Sequence, residues 1–164
     1  MGVRTVVRIP ARVLKSRSLE IGGTDEELAR DLLDTMRASP ACVGLAAPQI
    51  GVGRRAIAVD VSEHPKTTTS HGLVILFDPV ILSGEGRAIG REGCMSVPDL
   101  TADVARAESI IVRGLDVTGT EREIATEGFE ARAFQHEVDH LDGLLILDRV
   151  ASLATDVFRR KVYR

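Results

Sequence analysis

The stretch QHEVDH, Gln135 to His140, constrains this chain more than any other, because it sets two histidines four residues apart around a glutamate. On a helix, positions i and i+4 stand one turn apart on one face. His136 and His140 can then reach a single divalent metal ion, with Glu137 beside it. The plainer alternative is a helix whose histidines are ordinary surface or core residues. The helix is expected over 127–141, and Gly143 follows where a helix commonly stops.

Such a helix needs a scaffold, and the chain is large enough to build one. Its 164 residues, 44% hydrophobic, suit a single domain over 1–164 that buries about 70% of its unfolded surface. Folding needs neither metal nor disulfide. A net charge of -3 and a pI near 5.8 give no global attraction to nucleic acid or an anionic membrane, so specific DNA binding is not expected. No apolar run is long enough to span a bilayer, and the first fifteen residues lack a secretory core, which points to the cytoplasm. The two cysteines, Cys42 and Cys94, are too few for a disulfide framework and leave a thiol free to act as ligand or nucleophile.

Met1 to Ile21 reads as an extended arm packed on the surface, with no chemistry of its own. Thr24 with Glu27 looks like a capping box, followed by Leu28, Leu32, Leu33 and Met36 at helical spacing; the amphipathic helix ends near Ser39-Pro40. Val43 to Gly53 (VGLAAPQIGVG) surrounds Gln49 with small residues. Two readings stand: a loop or edge lying against a ligand, with Gln49 offering its amide, or a tight turn between helix and strand.

Arg54 to Val61 alternates apolar and polar residues as a strand does, and 62–72 is a polar loop whose His64 and His71 are expected to be solvated. Leu73 to Phe77 is a strand that Asp78-Pro79 breaks, and Val80 to Leu82 begins another. Leu100 to Ala107 reads as a connection. Ser109 to Val117 is a strand, Asp116 to Arg122 a turn, and Glu123 to Thr126 the return strand. The pattern is antiparallel strands with short turns rather than repeated strand and helix units.

Two helical histidines leave a catalytic metal one ligand short. A third histidine in H-x-x-G-x-x-H fails because Ile146 occupies the last position, and beyond His140 the acids are Asp142, Asp148 and Asp156, with no glutamate. The remaining soft ligand is Cys94, in the stretch EGCMSVP, which would give a Cys-His-His site with an open position. Cys94 as buried core filler is the competing reading.

Taken together, VGLAAPQIG, EGCMS and QHEVDH, in this order, resemble the three signature segments of the peptide deformylases, with Met95 where the family usually has leucine. The resemblance covers essentially the whole chain. It implies an α+β fold: antiparallel β-sheets packed around a central metal-binding helix, with an N-terminal amphipathic helix and a C-terminal helix. It implies that Cys94, His136 and His140 hold one divalent metal ion, Fe(2+) above all, with Zn(2+), Ni(2+) or Co(2+) compatible. Glu137 would be the general base acting on the formyl carbonyl of an N-formylmethionyl peptide or nascent chain, and Gln49 and the Met95 backbone N–H would meet the oxyanion.

The same resemblance assigns a methionine pocket to Val43, Phe129 and Ala133, leaves room for a bound peptide at Gly44, and pairs Glu92 with Arg106 behind the cysteine segment. One departure is Asp78-Pro79, where relatives commonly have Asn-Pro. The tail from Leu153 carries Arg159, Arg160, Lys161 and Arg164 on an expected helix, either a solvated face or a transient ribosome contact. Rival readings are a related metallohydrolase acting on another substrate and a non-catalytic peptide-binding homologue; the second sits poorly with an intact Glu137 and ligand set.

Overall fold

The structure, a computed structural model, describes residues 2–161. An extended N-terminal arm with a short 3-10 turn at Arg12–Lys15 leads to α1 (Glu26–Ala38), β1 (Gly44–Ala46), a 3-10 turn (Ala47–Ile50) and β2 (Ala56–Val59). Five strands follow: β3 (Val74–Glu85), β4 (Ala88–Cys94), β5 (Val97–Arg106), β6 (Ser109–Leu115) and β7 (Glu121–Glu127). The chain closes with α2 (Gly128–Leu141), α3 (Ile146–Arg149) and β8 (Val157–Arg159). All named strand pairs are antiparallel, in a five-stranded sheet β1-β2-β3-β6-β7 and a three-stranded sheet β4-β5-β8.

The strand β2 explains the layering. Its Ile57 and Val59 pack with Phe134, Val138 and Leu141 of α2, while Ala56 and Ala58 pack with Leu28, Leu32 and Met36 of α1. Alternate residues of a strand face opposite sides, so the large sheet lies between the two helices and β2 is buried on both faces. The alternation read from Arg54 to Val61 therefore does not mark a solvated face. A third apolar cluster, including Leu14, Val97, Val104, Leu145 and Ile146, underlies the small sheet.

Several expectations change. The cap of α1 is Asp25, whose side chain accepts from Leu28 N at 3.0 Å, one residue beyond Thr24. Asp78-Pro79 does not break the strand: β3 runs through it with a register shift, and Asp78 takes φ 50°. Its carboxylate accepts from Ile21 N and Gly22 N, each at 2.8 Å. Two main-chain donors thus satisfy a carboxylate where an asparagine would offer one oxygen.

Leu100 to Ala107 is not a connection; residues to Arg106 form β5, the middle strand of the small sheet. The C-terminal helix is the single turn α3, and the basic tail forms β8 against β5 instead of a helix. Arg159 is exposed there, and Arg164 lies outside the described residues. The arm is more than a surface wrap: Val7 N donates to Gln49 O at 2.7 Å and Ile9 N to Ser96 O at 2.9 Å.

Candidate metal centre

Three pieces of chain converge on the two histidines. The first is the edge strand β1 and the 3-10 turn after it, where Gln49 is 2% exposed. Its Oε1 accepts from Ala46 N at 3.0 Å, which turns Nε2 towards Ser96 Oγ at 3.2 Å and Cys94 Sγ at 3.5 Å. Val43 to Gly53 thus holds a sheet edge followed by a tight turn. The second piece is the corner between β4 and β5, where Cys94 and Met95 sit; the third is α2, with His136, Glu137 and His140.

Ligand atoms of Cys94, His136 and His140 all lie within 4.8 Å of one another. Cys94 Sγ is 3.4 Å from His140 Nε2, and the two imidazoles meet edge to face at 5.0 Å between centroids. His136 Nδ1 is taken by Glu92 Oε1 at 2.8 Å, which leaves its Nε2 as the free ring nitrogen. A thiolate and two imidazole nitrogens at this spacing could hold one cation with a position left open.

Behind the cluster runs a chain of alternating charge. Arg106 donates to Glu92 at 2.9 and 3.0 Å and to Asp139 at 2.5 Å, Arg149 chelates Asp139 at 2.7 and 2.9 Å, and Arg132 reaches Glu92 at 2.6 Å. Burial alone would raise the Glu92 carboxyl, yet hydrogen bonds from His136 and Arg106 hold it well below the usual carboxylate range. Its ionised form therefore fixes the His136 ring.

Glu137 is 4% exposed, and its Oε1 has no hydrogen-bond partner among the described residues. Burial pushes its carboxyl up to about 7. Gly44 lines the cavity, and a Cβ there would come within 2.5 Å of Glu137 Oε2, so the missing side chain makes room for the carboxylate.

Most residues singled out by the sequence line one cavity of about 420 Å³: Val43, Gly44, Gln49, Phe129, Ala133 and Glu137, together with Glu92, Cys94, Met95 and His136. His140, 1% exposed, and Arg106, 6% exposed, stand behind the wall. Val43 and Phe129 also pack against the core that contains Ala133.

Other wall residues escaped the sequence reading. Cys42 lines the cavity, and burial followed by the nearby Glu137 pushes its thiol up to about 12. Nor are the two loop histidines simply solvated: His64 stacks on Phe129 at 4.2 Å between centroids, and His71 Nδ1 meets the buried Glu130 at 2.5 Å. Arg132 and Arg160 also line the cavity. Arg160 carried no local signal, because it reaches the cavity through the pairing of β8 with β5.

Comparison with known proteins fits this geometry. The polypeptide deformylase family model matches residues 3–156. A peptide deformylase of Thermodesulfovibrio yellowstonii is 40% identical over 164 residues, 98% of this chain and 97% of that one. A peptide deformylase of Desulforudis audaxviator is 42% identical over 166 residues, covering 98% and 99%. Among solved structures, the Ehrlichia chaffeensis peptide deformylase in complex with actinonin superposes with a TM-score of 0.85 at 31% identity, covering 94% of this chain and 92% of that one. The Met-Ala-Ser-bound peptide deformylase of Acinetobacter baumannii gives 0.82 at 33%, covering 90% and 99%. On sequence and fold alike, this chain belongs to the polypeptide deformylase family.

Proposed function

We propose that this chain removes the N-formyl group from N-formylmethionyl peptides, the amino-terminal ends of nascent polypeptides, by metal-dependent hydrolysis that yields formate and a free amino terminus. The observation that carries the reading is the three-donor cluster of Cys94, His136 and His140 with the unpartnered Glu137 carboxylate on the same helix. Family membership supports the reaction class.

The donors fit a divalent cation: a thiol, a ring held in one tautomer by Glu92, and a second buried ring turned towards the sulfur. Cys94, His136 and His140 would hold it, with Fe(2+) proposed and Zn(2+), Ni(2+) or Co(2+) accepting the same donors. When bound, the cation would lower the pKa of water towards neutrality and polarise the formyl carbonyl.

Glu137 takes the proton of the attacking water and returns it to the leaving amine, a role open to a buried carboxylate whose Oε1 has no other partner among the described residues. Gln49 Nε2, turned inward by the bond from Ala46 N, and the Met95 backbone N–H donate to the oxyanion, each worth about 3 kcal/mol in comparable hydrolases. The strand β1, at the edge of the large sheet, offers an extended peptide a strand to lie against. The methionine side chain enters between Val43, Phe129 and Ala133.

Such an enzyme works in the cytoplasm, and among the described residues no helix is long and apolar enough to cross a membrane. Among the described residues, a ribosome contact through the tail would fall to the exposed Arg159 and Lys161, because Arg160 turns into the cavity. The test is formate release from formyl-Met-Ala-Ser by protein purified anaerobically with Fe(2+). No formate above a Glu137→Ala control sinks the reading, and peptide-bond cleavage in its place points to a peptidase on the same site.

A further inference from the structure

The three arginines around the cavity, which Lys66 also lines, differ in what they are bound to. Arg91 pairs with Asp103 at 2.8 Å and lies over the Phe158 ring at 3.7 Å. Arg132 is held by Glu92 and by the Val104 and Ala88 carbonyls. Arg160 has no carboxylate within 4.0 Å among the described residues. Among the described residues its side chain makes one hydrogen bond, from the guanidinium to Cys94 O at 3.4 Å, and its Nε is buried without a partner.

Two features of the fold deliver this side chain to the cavity. The strand β8 pairs with β5, and Arg160 N donates to Asp99 O at 2.9 Å, which fixes its backbone beside the corner that carries Cys94. Gly93 then leaves the space: a Cβ there would stand 2.5 Å from the Arg160 guanidinium. A guanidinium held in a partly dry wall with donors unspent costs free energy unless an anion completes it, and its planar fork suits a carboxylate.

Building on the deformylase reading, we propose that Arg160 is a specificity residue that binds a substrate carboxylate downstream of the formylmethionine. The carboxylate is either an acidic side chain or the terminal carboxylate of a short peptide. Arg160, Gly93 and Cys94 line the same cavity as Gly44 of β1 and Glu137, so a peptide that pairs with β1 and presents its formyl group to Glu137 shares that cavity with the guanidinium.

The test compares kcat/KM of the Fe(2+) enzyme for five peptides: neutral formyl-Met-Ala-Ser amide, the same peptide as free acid, and three amides with Asp at the first, second or third position after methionine. Wild type should favour at least one carboxylate-bearing peptide over the neutral amide by about 10-fold, mainly through KM, as expected for a hydrogen bond to a charged group. The preference should shrink in high salt. In Arg160→Gln the acidic-to-neutral ratio should fall to about one, and Arg160→Lys should recover part of it.

Preference for the free acid identifies the terminal carboxylate as the ligand, and preference for an Asp amide identifies a side chain; either supports the proposal. A wild-type ratio of one overturns it. So does an Arg160→Gln enzyme that loses acidic and neutral peptides in equal measure, since that is loss of support for the cysteine segment. Formate from no peptide at all would instead refute the deformylase reading beneath it.

Discussion

Replacing Gly44 by alanine tests the placement of Glu137 directly. The added Cβ would lie 2.5 Å from Oε2, 2.9 Å from Cδ and 3.0 Å from Cγ of Glu137, whereas ordinary contact begins at 3.4 Å. The carboxylate must therefore retreat by about 0.9 Å, because α2 is anchored through the buried Phe134, Val138 and Leu141. A misplacement of about 1 Å at a reacting group costs roughly 100-fold, or about 2.7 kcal/mol in barrier. Overpacking adds about 1–3 kcal/mol of destabilisation, partly offset by the smaller backbone entropy of the unfolded alanine chain. The expected outcome is a folded protein with a Tm within several degrees of wild type, unchanged metal content, and kcat lower by about 100-fold. Formate release coupled to formate dehydrogenase gives kcat, and a thermal melt gives Tm. Gly53→Ala, whose Cβ meets nothing nearer than 4.0 Å, is the control and should retain activity. A Gly44→Ala enzyme within threefold of wild-type kcat would refute the claim that Gly44 exists to seat the carboxylate.

Glu92→Gln should weaken metal retention about 10–100-fold in chelator competition, since the carboxylate that orients His136 is lost. Because Glu92 is held below its ordinary 4.5, its contribution to stability is present above that value and drains away as pH falls towards the lower folded one. Urea unfolding should accordingly show a steeper acid loss in wild type than in Glu92→Gln. Cys42, with its thiol raised from 9.0 to about 12, should react with a disulfide reagent at pH 8 about 1,000-fold more slowly than an unperturbed thiol, as mass-mapped labelling would show. The Fe(2+) form should lose activity in air or peroxide faster than the Ni(2+) form, because a thiolate ligand beside iron is open to oxidation; equal lifetimes would count against Cys94 as a ligand.

What the sequence made legible was what local chemistry encodes. The spacing of His136, Glu137 and His140 survives intact because a helix converts four residues into one turn. Glycine and alanine density announced the close approach at Gly44, although the body approaching is Glu137. The readings that moved depended on partners far along the chain. Leu100 to Ala107 reads as a connection until β4 and β8 flank it, and Asp78 reads as a breaker until Ile21 and Gly22 supply its hydrogen bonds. The basic tail looks helical by charge spacing, and cross-strand pairing with β5 overrides that preference. Arg160 was legible as a charge and not as a wall of the site.

The N-terminal arm carries a consequence for how the molecule comes together. Val7 and Ile9 hold Gln49 and Ser96 by their main chain, yet they are synthesised well before either partner. Val7 has its partner once Gln49 has emerged, but Ile9 has none until the corner that carries Cys94 and Ser96 follows. An early, unsatisfied ribbon of this kind is where a nascent chain is open to mispairing. Its capture should come late, so the two segments that face the histidines lock last, after the large sheet already exists to receive them.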